Sequence, residues 1–269
     1  MKKSKGKMVF VFDLDKTIGY FTQVAVFMEG VEDYIGRKLK KQEMYKIFDL
    51  YPEIFRPDMM SIFNYLKKIK QKTKTTKVLI YTNNCGPKSW VYDIKNYIEK
   101  KIKYKLFDRT IAAWKVNDKV YEKCRTSYEK KYTDLLKCGN LKKKDKIIFL
   151  DDMVHTHMKN KNVVILHLKG YKHDILFTKM CKTFLKSNIG KLIKKKEHNN
   201  FTSKLIKFSK EDPLGFVYIE SKISSRDGYK KKILGKLKSF VKENKHNISR
   251  KKKKKKKSRN KTRKLGGFW

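Results

Sequence analysis

Four short runs of apolar residues, mostly β-branched or aromatic, stand out along a strongly polar chain. They are Met8–Phe12, Val78–Tyr81, Ile147–Leu150 and Val163–Leu166. Runs of this length and composition are typical of strands that are buried on both faces of a parallel sheet. We therefore predict that these four runs form the centre of one sheet.

Apolar residues recur at helical spacing between and after these runs. The helical patterns are Met59–Ile69, Trp90–Ile102 and, roughly, Lys130–Leu136, and Phe177–Leu192 could form a closing helix. Strands that alternate with helices indicate βαβ units. The predicted fold class is therefore α/β, a three-layer sandwich around a parallel central sheet.

The chain changes character after about residue 190. Lys194–Ser203 is polar and linker-like, whereas Tyr229–Val241 places its apolar residues on one helical face, which we expect to dock on the body. Lys245–Trp269 contains the run Lys251–Lys257 and no acidic residue, so we predict that it is disordered. The predicted organisation is a domain at 1–190, a linker and amphipathic helix at 191–244, and a basic tail at 245–269.

The charge balance points to an anionic partner. The chain has 39% hydrophobic and 36% charged residues and a net charge of +44. Such an excess suits nucleic acid or a phosphorylated polymer. Because the basic residues are overwhelmingly lysine, a coding bias explains the charge of the body equally well. In the tail the local clustering favours an electrostatic arm for non-specific nucleic-acid binding, or a nuclear-import signal, over a merely solubilising segment.

Cysteine usage and the N-terminal segment bear on the compartment. The four cysteines, Cys85, Cys124, Cys138 and Cys181, lie far apart with no CxxC pair. This spacing predicts neither a zinc site nor a disulfide scaffold and fits a reducing compartment. The apolar run before Asp13 is too short for a signal-peptide core or a membrane span. We expect an intracellular protein, in the cytoplasm or nucleus of a host cell or in a virion, without a membrane partner.

Paired carboxylates follow the first predicted strand. Asp13 and Asp15 are two positions apart, so on extended backbone their side chains project the same way. They lie at the carboxyl end of the strand, where open α/β sheets bind ligands. Two carboxylates this close need a cation or a shared proton. The alternative is a solvated acidic turn.

Two further strands end in polar residues. Thr82, Asn83 and Asn84 follow Val78–Tyr81, and Asp151 and Asp152 follow Ile147–Leu150. Each group alone is compatible with an ordinary turn or helix cap. Since the carboxyl ends of parallel strands meet at one edge, the three groups together predict a rim that binds a cation and a phosphate.

These motifs resemble those of a known superfamily. The string at 11–17, VFDLDKT, resembles the DxDxT signature of the haloacid-dehalogenase (HAD) superfamily of phosphatases. Tyr81-Thr82-Asn83 is similar to the second motif of that superfamily, and Leu150-Asp151-Asp152 to the fourth. The resemblance covers about residues 8–168 and implies a HAD-type Rossmannoid fold.

Within the superfamily the sequence is most similar to the phosphatases of the RNA polymerase II carboxy-terminal domain, the NLI-interacting-factor-like group. The likeness rests on Arg56-Pro57 and on the stretch from Leu106-Phe107 to Cys124-Arg125. Lys16 departs from the usual Glu of this group, and Gly19 stands where Val or His is common. The basic tail and the lysine bias also resemble proteins of large DNA viruses.

The resemblance implies catalytic and substrate-binding roles. Asp13 would be the nucleophile that forms an aspartyl-phosphate, and Asp15 the acid/base that protonates the leaving oxygen and then activates water. Thr82 would bind a phosphoryl oxygen, with Thr17 and Asn83 beside the substrate.

The resemblance also implies Mg²⁺, for which Asp13, Asp15, Asp151 and Asp152 are the candidate ligands. The Asp13 and Asp152 carboxylates and the Asp15 backbone carbonyl would bind it directly. The family's lysine falls on Lys130, with Lys131 as a close second, and Asp151 would orient it. A metal role for the pair His155 and His157 is open, although a surface or helix-start role is more common.

The expected function is a Mg²⁺-dependent phosphomonoester hydrolase, in particular a protein serine/threonine phosphatase. The segment between Thr17 and Arg56 is too short for the larger HAD caps, which predicts a small or absent cap, an open cleft and a macromolecular substrate. One alternative is a polynucleotide 3′-phosphatase. Another is a non-catalytic nucleic-acid-associated or virion protein that retains the fold.

Overall fold

A five-stranded parallel sheet forms the centre of the protein. The computed structural model describes residues 6–211 and 231–244. Its strands are β1 (Met8–Phe12), β2 (Thr76–Tyr81), β3 (Arg109–Ile111), β4 (Lys115–Val116), β5 (Lys119–Val120), β6 (Lys146–Asp151) and β7 (Val163–His167). The sheet order is β3-β2-β1-β6-β7 with parallel neighbours, and β4 and β5 form a separate antiparallel hairpin. All four predicted runs are strands, but the prediction of burial is wrong for β7, which lies at the edge of the sheet with Val164 46% exposed.

Helices flank this sheet. They are α1 (Thr22–Ile35), α2 (Lys41–Leu50), α3 (Met59–Lys72), α4 (Lys88–Ile102), α5 (Tyr132–Cys138), α6 (Phe177–Lys186), α7 (His198–Glu211) and α8 (231–244). Short 3-10 helices lie at Pro52–Ile54, Thr156–Met158, Ile189–Leu192 and Lys195–Glu197. The predicted α3, α4 and α5 are present. The predicted closing helix is divided into α6 and a 3-10 turn. The architecture is α/β and consistent with a Rossmann-like fold.

Alternate residues of the strands supply two separate cores. Phe10 and Phe12 of β1 belong to the larger one, on what we term the first face of the sheet. Val9 and Val11 belong to the smaller one, on the second face. Both sets are fully buried, as expected for central strands of a parallel sheet. Helix α5 covers the second face through Leu135, and the other helices pack on the first face.

The segment between Thr17 and Arg56 folds into α1 and α2. Both helices contribute to the core of the first face, and α1 packs against α7 while α2 packs against α6. The ring of Phe27 on α1 lies 5.7 Å from that of Phe184 on α6, edge to face. The whole segment is therefore part of the main body of the domain.

The predicted linker at Lys194–Ser203 is wrong. A 3-10 turn at Lys195–Glu197 leads directly into α7, on which Phe201 and Leu205 are fully buried. The two side chains are four residues apart and form a narrow apolar stripe on an otherwise polar helix. In the sequence, the surrounding lysines make so narrow an apolar stripe hard to recognise. The proposed domain boundary at 190/191 consequently falls inside continuous packing.

The predicted amphipathic helix is confirmed as α8, and its docking on the body is confirmed as well. Ile233, Leu237 and Phe240 are buried in the core of the first face. The Phe240 ring lies 5.5 Å from that of Phe10 on β1. The helix therefore closes this core against the sheet. The first two residues of the predicted Tyr229–Val241, and the whole basic tail at 245–269, lie outside the described residues.

Two of the four cysteines form a disulfide, so the prediction of no disulfide was wrong. Cys124 and Cys138 are joined, with their Cα atoms 5.3 Å apart, whereas Cys85 and Cys181 are free. The chain doubles back through α5 between the two residues, a return that sequence spacing does not reveal. The cysteine pattern thus no longer indicates a reducing compartment. Within the described residues, no helix combines the length and the apolar character needed to cross a membrane.

Candidate active site

Three adjacent strands bring the predicted site residues to one edge of the sheet. Asp13 follows β1, Thr82 follows β2, and Asp151 is the last residue of β6. Because β1 pairs in parallel with both β2 and β6, the carboxyl ends of the three strands coincide. Carboxylate oxygens of Asp13, Asp151 and Asp152 lie within 4.8 Å of one another. This acidic triad could hold a metal ion.

Lys130 connects two of the three acids. Its Nζ lies 2.5 Å from Asp13 Oδ1 and 2.7 Å from Asp151 Oδ2, and all three side chains are buried. Lys131 points away, and its Nζ lies 3.5 Å from Thr126 Oγ1 at the surface. A buried ammonium needs such partners to offset the loss of hydration. Of the two candidate lysines, the structure therefore brings only Lys130 to Asp13.

Burial changes the proton affinity of both aspartates that follow β1. It raises the pKa of Asp13 to about 7, with Lys130 opposing the shift and Asp151 adding to it. Burial also raises the pKa of Asp15, although the hydrogen bond from Asn84 opposes this. A divalent cation at the triad would favour the ionised form of Asp13.

The pKa of Asp151 is shifted in the opposite direction. Burial opposes its ionisation, but His155, Lys130 and the Met153 backbone N–H together outweigh that effect, and its pKa is lowered. Oδ1 accepts a hydrogen bond from Met153 N (2.8 Å) while Oδ2 faces Lys130. His155 Nε2 lies 3.1 Å from the same Oδ2, without hydrogen-bond alignment. Both oxygens of Asp151 are thus engaged, which suits it to orient Lys130.

The acid/base candidate Asp15 is held by Asn84, a residue of the predicted rim to which the sequence assigned no role. Asn84 Nδ2 donates to Asp15 Oδ2 (2.9 Å), and Asn84 N donates to Thr82 Oγ1 (3.0 Å). Asn83, the predicted substrate contact, donates instead to the Tyr128 carbonyl and accepts from Arg125. The Asn83-Asn84 pair was visible in the sequence, but which amide faces Asp15 depends on the turn after β2.

The turn after β1 is tight. Thr17 is buried, and its Oγ1 donates to Asp152 Oδ1 (3.2 Å), so it contacts the acidic triad itself. Gly19 closes the turn by accepting from Lys16 N (2.6 Å). A Cβ at Gly19 would lie 2.5 Å from the Ile54 carbonyl oxygen. A larger residue therefore cannot fit at position 19 without a shift of this turn.

A buried arginine, Arg56, stabilises this turn through hydrogen bonds. Arg56 donates from Nε to the Thr17 carbonyl (2.8 Å) and from Nη2 to the carbonyls of Lys16 (2.5 Å) and Lys169 (2.8 Å). It thereby joins the loop after β1 to the loop after β7. In the sequence Arg56 was only a marker of resemblance, and nothing there showed which groups it binds.

A second buried arginine supports the other side of the site. Arg125 Nη1 donates to the carbonyls of Thr82 (3.0 Å) and Ala112 (2.8 Å), and Nη2 donates to Asn83 Oδ1 (2.7 Å) and the Tyr128 carbonyl (2.9 Å). The guanidinium therefore ties the residues after β2 to the segment that carries Lys130. Five N–H donors in a planar fork make arginine suited to such bridging.

The donor set fits a hard divalent cation. All three members of the triad offer oxygen, which is the ligand type that Mg²⁺ and Ca²⁺ require. Asp151 already uses both oxygens, so Asp13 and Asp152 are the better direct ligands. No family model, curated protein or solved structure matches the chain.

Proposed function

We propose that the protein is a Mg²⁺-dependent phosphomonoester hydrolase of the HAD type that acts through an aspartyl-phosphate on Asp13. The observation that carries the proposal is the buried contact of Lys130 with both Asp13 and Asp151 beside a triad that could hold a metal. A lone acidic turn would need no such cation. The resemblance of the DxDxT string to HAD phosphatases supports the same chemistry.

In the first step an oxygen of Asp13 attacks phosphorus as the bond to the leaving oxygen breaks. Lys130 favours the ionised nucleophile, and the raised pKa of Asp15 suits it to give a proton to the leaving alcohol. In the second step ionised Asp15 takes a proton from water, which attacks phosphorus and releases Asp13 and inorganic phosphate. Asn84 fixes the orientation of Asp15 in both steps.

Asp13 and Asp152 would hold the Mg²⁺. The ion would supply positive charge against the phosphoryl oxygens and the nucleophile. Thr17 fixes Asp152, and Arg56 fixes the carbonyl of Thr17, so the ligand pair is supported by buried hydrogen bonds. Such outer contacts commonly hold metal ligands in place.

The proposed substrate is a phosphoserine or phosphothreonine protein. Asp15, Asn84 and Asp152 are partly exposed, so the site faces solvent along an edge that a chain can approach. A polynucleotide 3′-phosphate is the second candidate, favoured by the net charge of +44. A non-catalytic role is less well supported, since it would leave the buried Lys130 contacts and the Asn84 contact without a purpose.

The test is a turnover panel with an aryl phosphate, a phosphoserine peptide and a 3′-phosphorylated oligonucleotide, each with Mg²⁺ and with excess EDTA. We expect Mg²⁺-dependent release of phosphate and, in rapid-quench mass spectra, a phosphorylated peptide that contains Asp13. Asp13→Asn should abolish this release, and Asp33→Asn, the same substitution at an exposed position on α1, is the matched control. Full activity in EDTA, or no phosphate release from any substrate, would refute the proposal.

A further inference from the structure

Lys16 occupies an unusual backbone position beside the site. Its φ is 56°, in the left-handed region that non-glycine residues seldom adopt. Its N–H donates to the Gly19 carbonyl, and its own carbonyl accepts from Arg56 Nη2 and from Tyr171 N (2.8 Å). Three hydrogen bonds therefore fix the backbone and set the direction in which the side chain leaves it. Conformations of this kind persist only where the surroundings enforce them.

The side chain of Lys16 is exposed and runs along a glycine. A Cβ at Gly170 would lie 3.7 Å from both Cβ and Cδ of Lys16 and 3.1 Å from Asp152 Oδ2. Within the two described ranges, 6–211 and 231–244, no carboxylate lies within ion-pair distance of the Lys16 ammonium. An exposed ammonium on a fixed backbone is thus available close to the acidic triad.

Lys16 lies on the side of the site where the leaving group of the substrate would bind. Asp15 precedes it directly, and the positive charge of Lys16 opposes the rise in the pKa of Asp15 that burial causes. In the proposed reaction Asp15 gives its proton to the leaving oxygen, so the leaving group lies beside Asp15. A cation next to Asp15 can contact the leaving alcohol and the groups attached to it.

We propose that Lys16 is a specificity-determining residue that binds a second anionic group of a phosphopeptide, a carboxylate or phosphate beside the phosphoserine that is hydrolysed. This inference rests on the proposed phosphatase function and names the substrates that the site prefers. A glutamate at position 16 would repel such an anion, whereas Lys16 attracts it.

The rest of the rim favours a peptide over a polynucleotide. Met153 and Val154, which follow Asp152, are 63% and 70% exposed, and Tyr128 is also exposed. The neighbouring Asn84 is neutral. Polynucleotide grooves carry a row of cations that follows successive phosphates. A rim that combines Lys16 with exposed apolar side chains and a neutral amide suits a peptide with an acidic group beside the phosphoserine.

The test compares two peptides of equal length, one with a single phosphoserine and one with a second phosphoserine or aspartate beside it. The selectivity, taken as the ratio of the two kcat/KM values, is measured for the wild type and for Lys16→Arg, Lys16→Gln and Lys16→Glu. We expect the wild type to prefer the doubly anionic peptide. The ratio should fall about fivefold in Lys16→Gln and about thirtyfold in Lys16→Glu, where like charges meet, and remain in Lys16→Arg.

Lys161→Glu is the matched control. Lys161 is exposed and precedes β7, so it lies at the amino ends of the parallel strands, whereas Lys16 lies at their carboxyl ends. Its selectivity should equal that of the wild type, and the wild-type preference should weaken with added salt. Equal selectivity in the wild type and Lys16→Glu would overturn the inference and leave the phosphatase function intact. So would a Lys16 dependence confined to the 3′-phosphorylated oligonucleotide. Absence of turnover of every substrate by the wild type would instead refute the phosphatase function.

Discussion

The two faces of the sheet are built by different means. The first face is packed with buried aromatic rings, among them Phe10, Phe12, Phe27, Phe48, Phe63, Phe184 and Phe201. The second face has a smaller core under the short helix α5. There, buried polar groups take over much of the linking: Arg125 binds four oxygens, Asp134 accepts from Thr126, and a disulfide joins Cys124 to Cys138.

The candidate catalytic lysine comes from the second face. The Lys130 ammonium lies 5.8 Å from the ring centre of Tyr81 and 5.9 Å from that of Phe149, both of which belong to the smaller core. Apolar packing is non-directional, whereas hydrogen bonds fix atoms in defined positions. We infer that the first face mainly supplies stability and the second face mainly positions the site. The predictions below test that division.

The largest effect is expected at the edge that both faces share. Asp13→Asn should reduce kcat/KM by about 10⁴-fold or more, because an amide cannot attack phosphorus, and tenfold corresponds to about 1.4 kcal/mol of barrier. Circular dichroism and urea denaturation should show a folded protein. Activity within about tenfold of the wild type would refute the role of Asp13.

A core substitution on the first face should do the reverse. Phe27 is fully buried against the rings of Tyr51, Phe177 and Phe184. Phe27→Ala should lower the free energy of unfolding by about 3–5 kcal/mol, as measured by urea denaturation. Phe27→Leu, which leaves a smaller cavity, should cost less. At a temperature where each variant is folded, kcat/KM should match the wild type; a loss comparable to that of Asp13→Asn would contradict the division between the faces.

Lys130→Ala should affect both properties. Removal of the ammonium leaves Asp13 and Asp151 without their shared cation, so we expect about a 100-fold loss in kcat/KM, or roughly 3 kcal/mol. The unpaired buried carboxylates should also lower stability. Lys131→Ala is the matched control on the adjacent residue and should be nearly silent in both assays. A larger loss in Lys131→Ala would transfer the role to that residue.

Reduction of the disulfide should weaken the second face. The bond closes a loop with a sequence separation of 14 residues, for which the chain-entropy model gives about 3 kcal/mol. We expect urea denaturation with and without dithiothreitol to differ by about this amount. Cys138→Ser should abolish the difference, and Cys85→Ser, at an exposed free cysteine, should preserve it. Equal stability in both conditions would show that the bond does not form.

The smallest effect concerns the pH dependence of Mg²⁺ binding. The pKa of Asp13 is raised to about 7 in the metal-free protein, whereas Mg²⁺ requires the ionised carboxylate. The apparent affinity should therefore rise up to about tenfold per pH unit below 7, roughly 1.4 kcal/mol, and level off above it. Calorimetry in two buffers should show proton release at pH 6 and little at pH 8.

The stability of the metal-free protein should follow the same group. Because the folded pKa of Asp13 is above its unfolded value, the contribution of the protonated acid is complete below the ordinary carboxyl pKa. This contribution is lost as pH rises through about 7, and bound Mg²⁺ should restore the free energy of unfolding there. Asp13→Asn should remove this pH dependence, and an unchanged dependence in that variant would assign it to another group.

The elements that were predictable are those whose signal is local. The strands β1, β2, β6 and β7 are continuous apolar runs, and α3, α4 and α8 carry clear apolar stripes. In contrast, β3 has only three residues and belongs to the sheet solely through its pairing with β2. The stripe of α7 is too narrow to separate from its lysines. Short or weakly patterned elements form because a partner is present, and the partner lies far away in sequence.

The sequence alone therefore determined that Asp13, Asp15, Thr82 and the Asp151-Asp152 pair would meet, since strand period and parallel order place the residues after each strand at one edge. Only the tertiary structure decided that Lys130 rather than Lys131 contacts Asp13, and that Asn84 rather than Asn83 holds Asp15. Neighbouring residues of the same type are equivalent in a local pattern. They become different when the loops after β2 and before α5 fix which side chain faces the cleft.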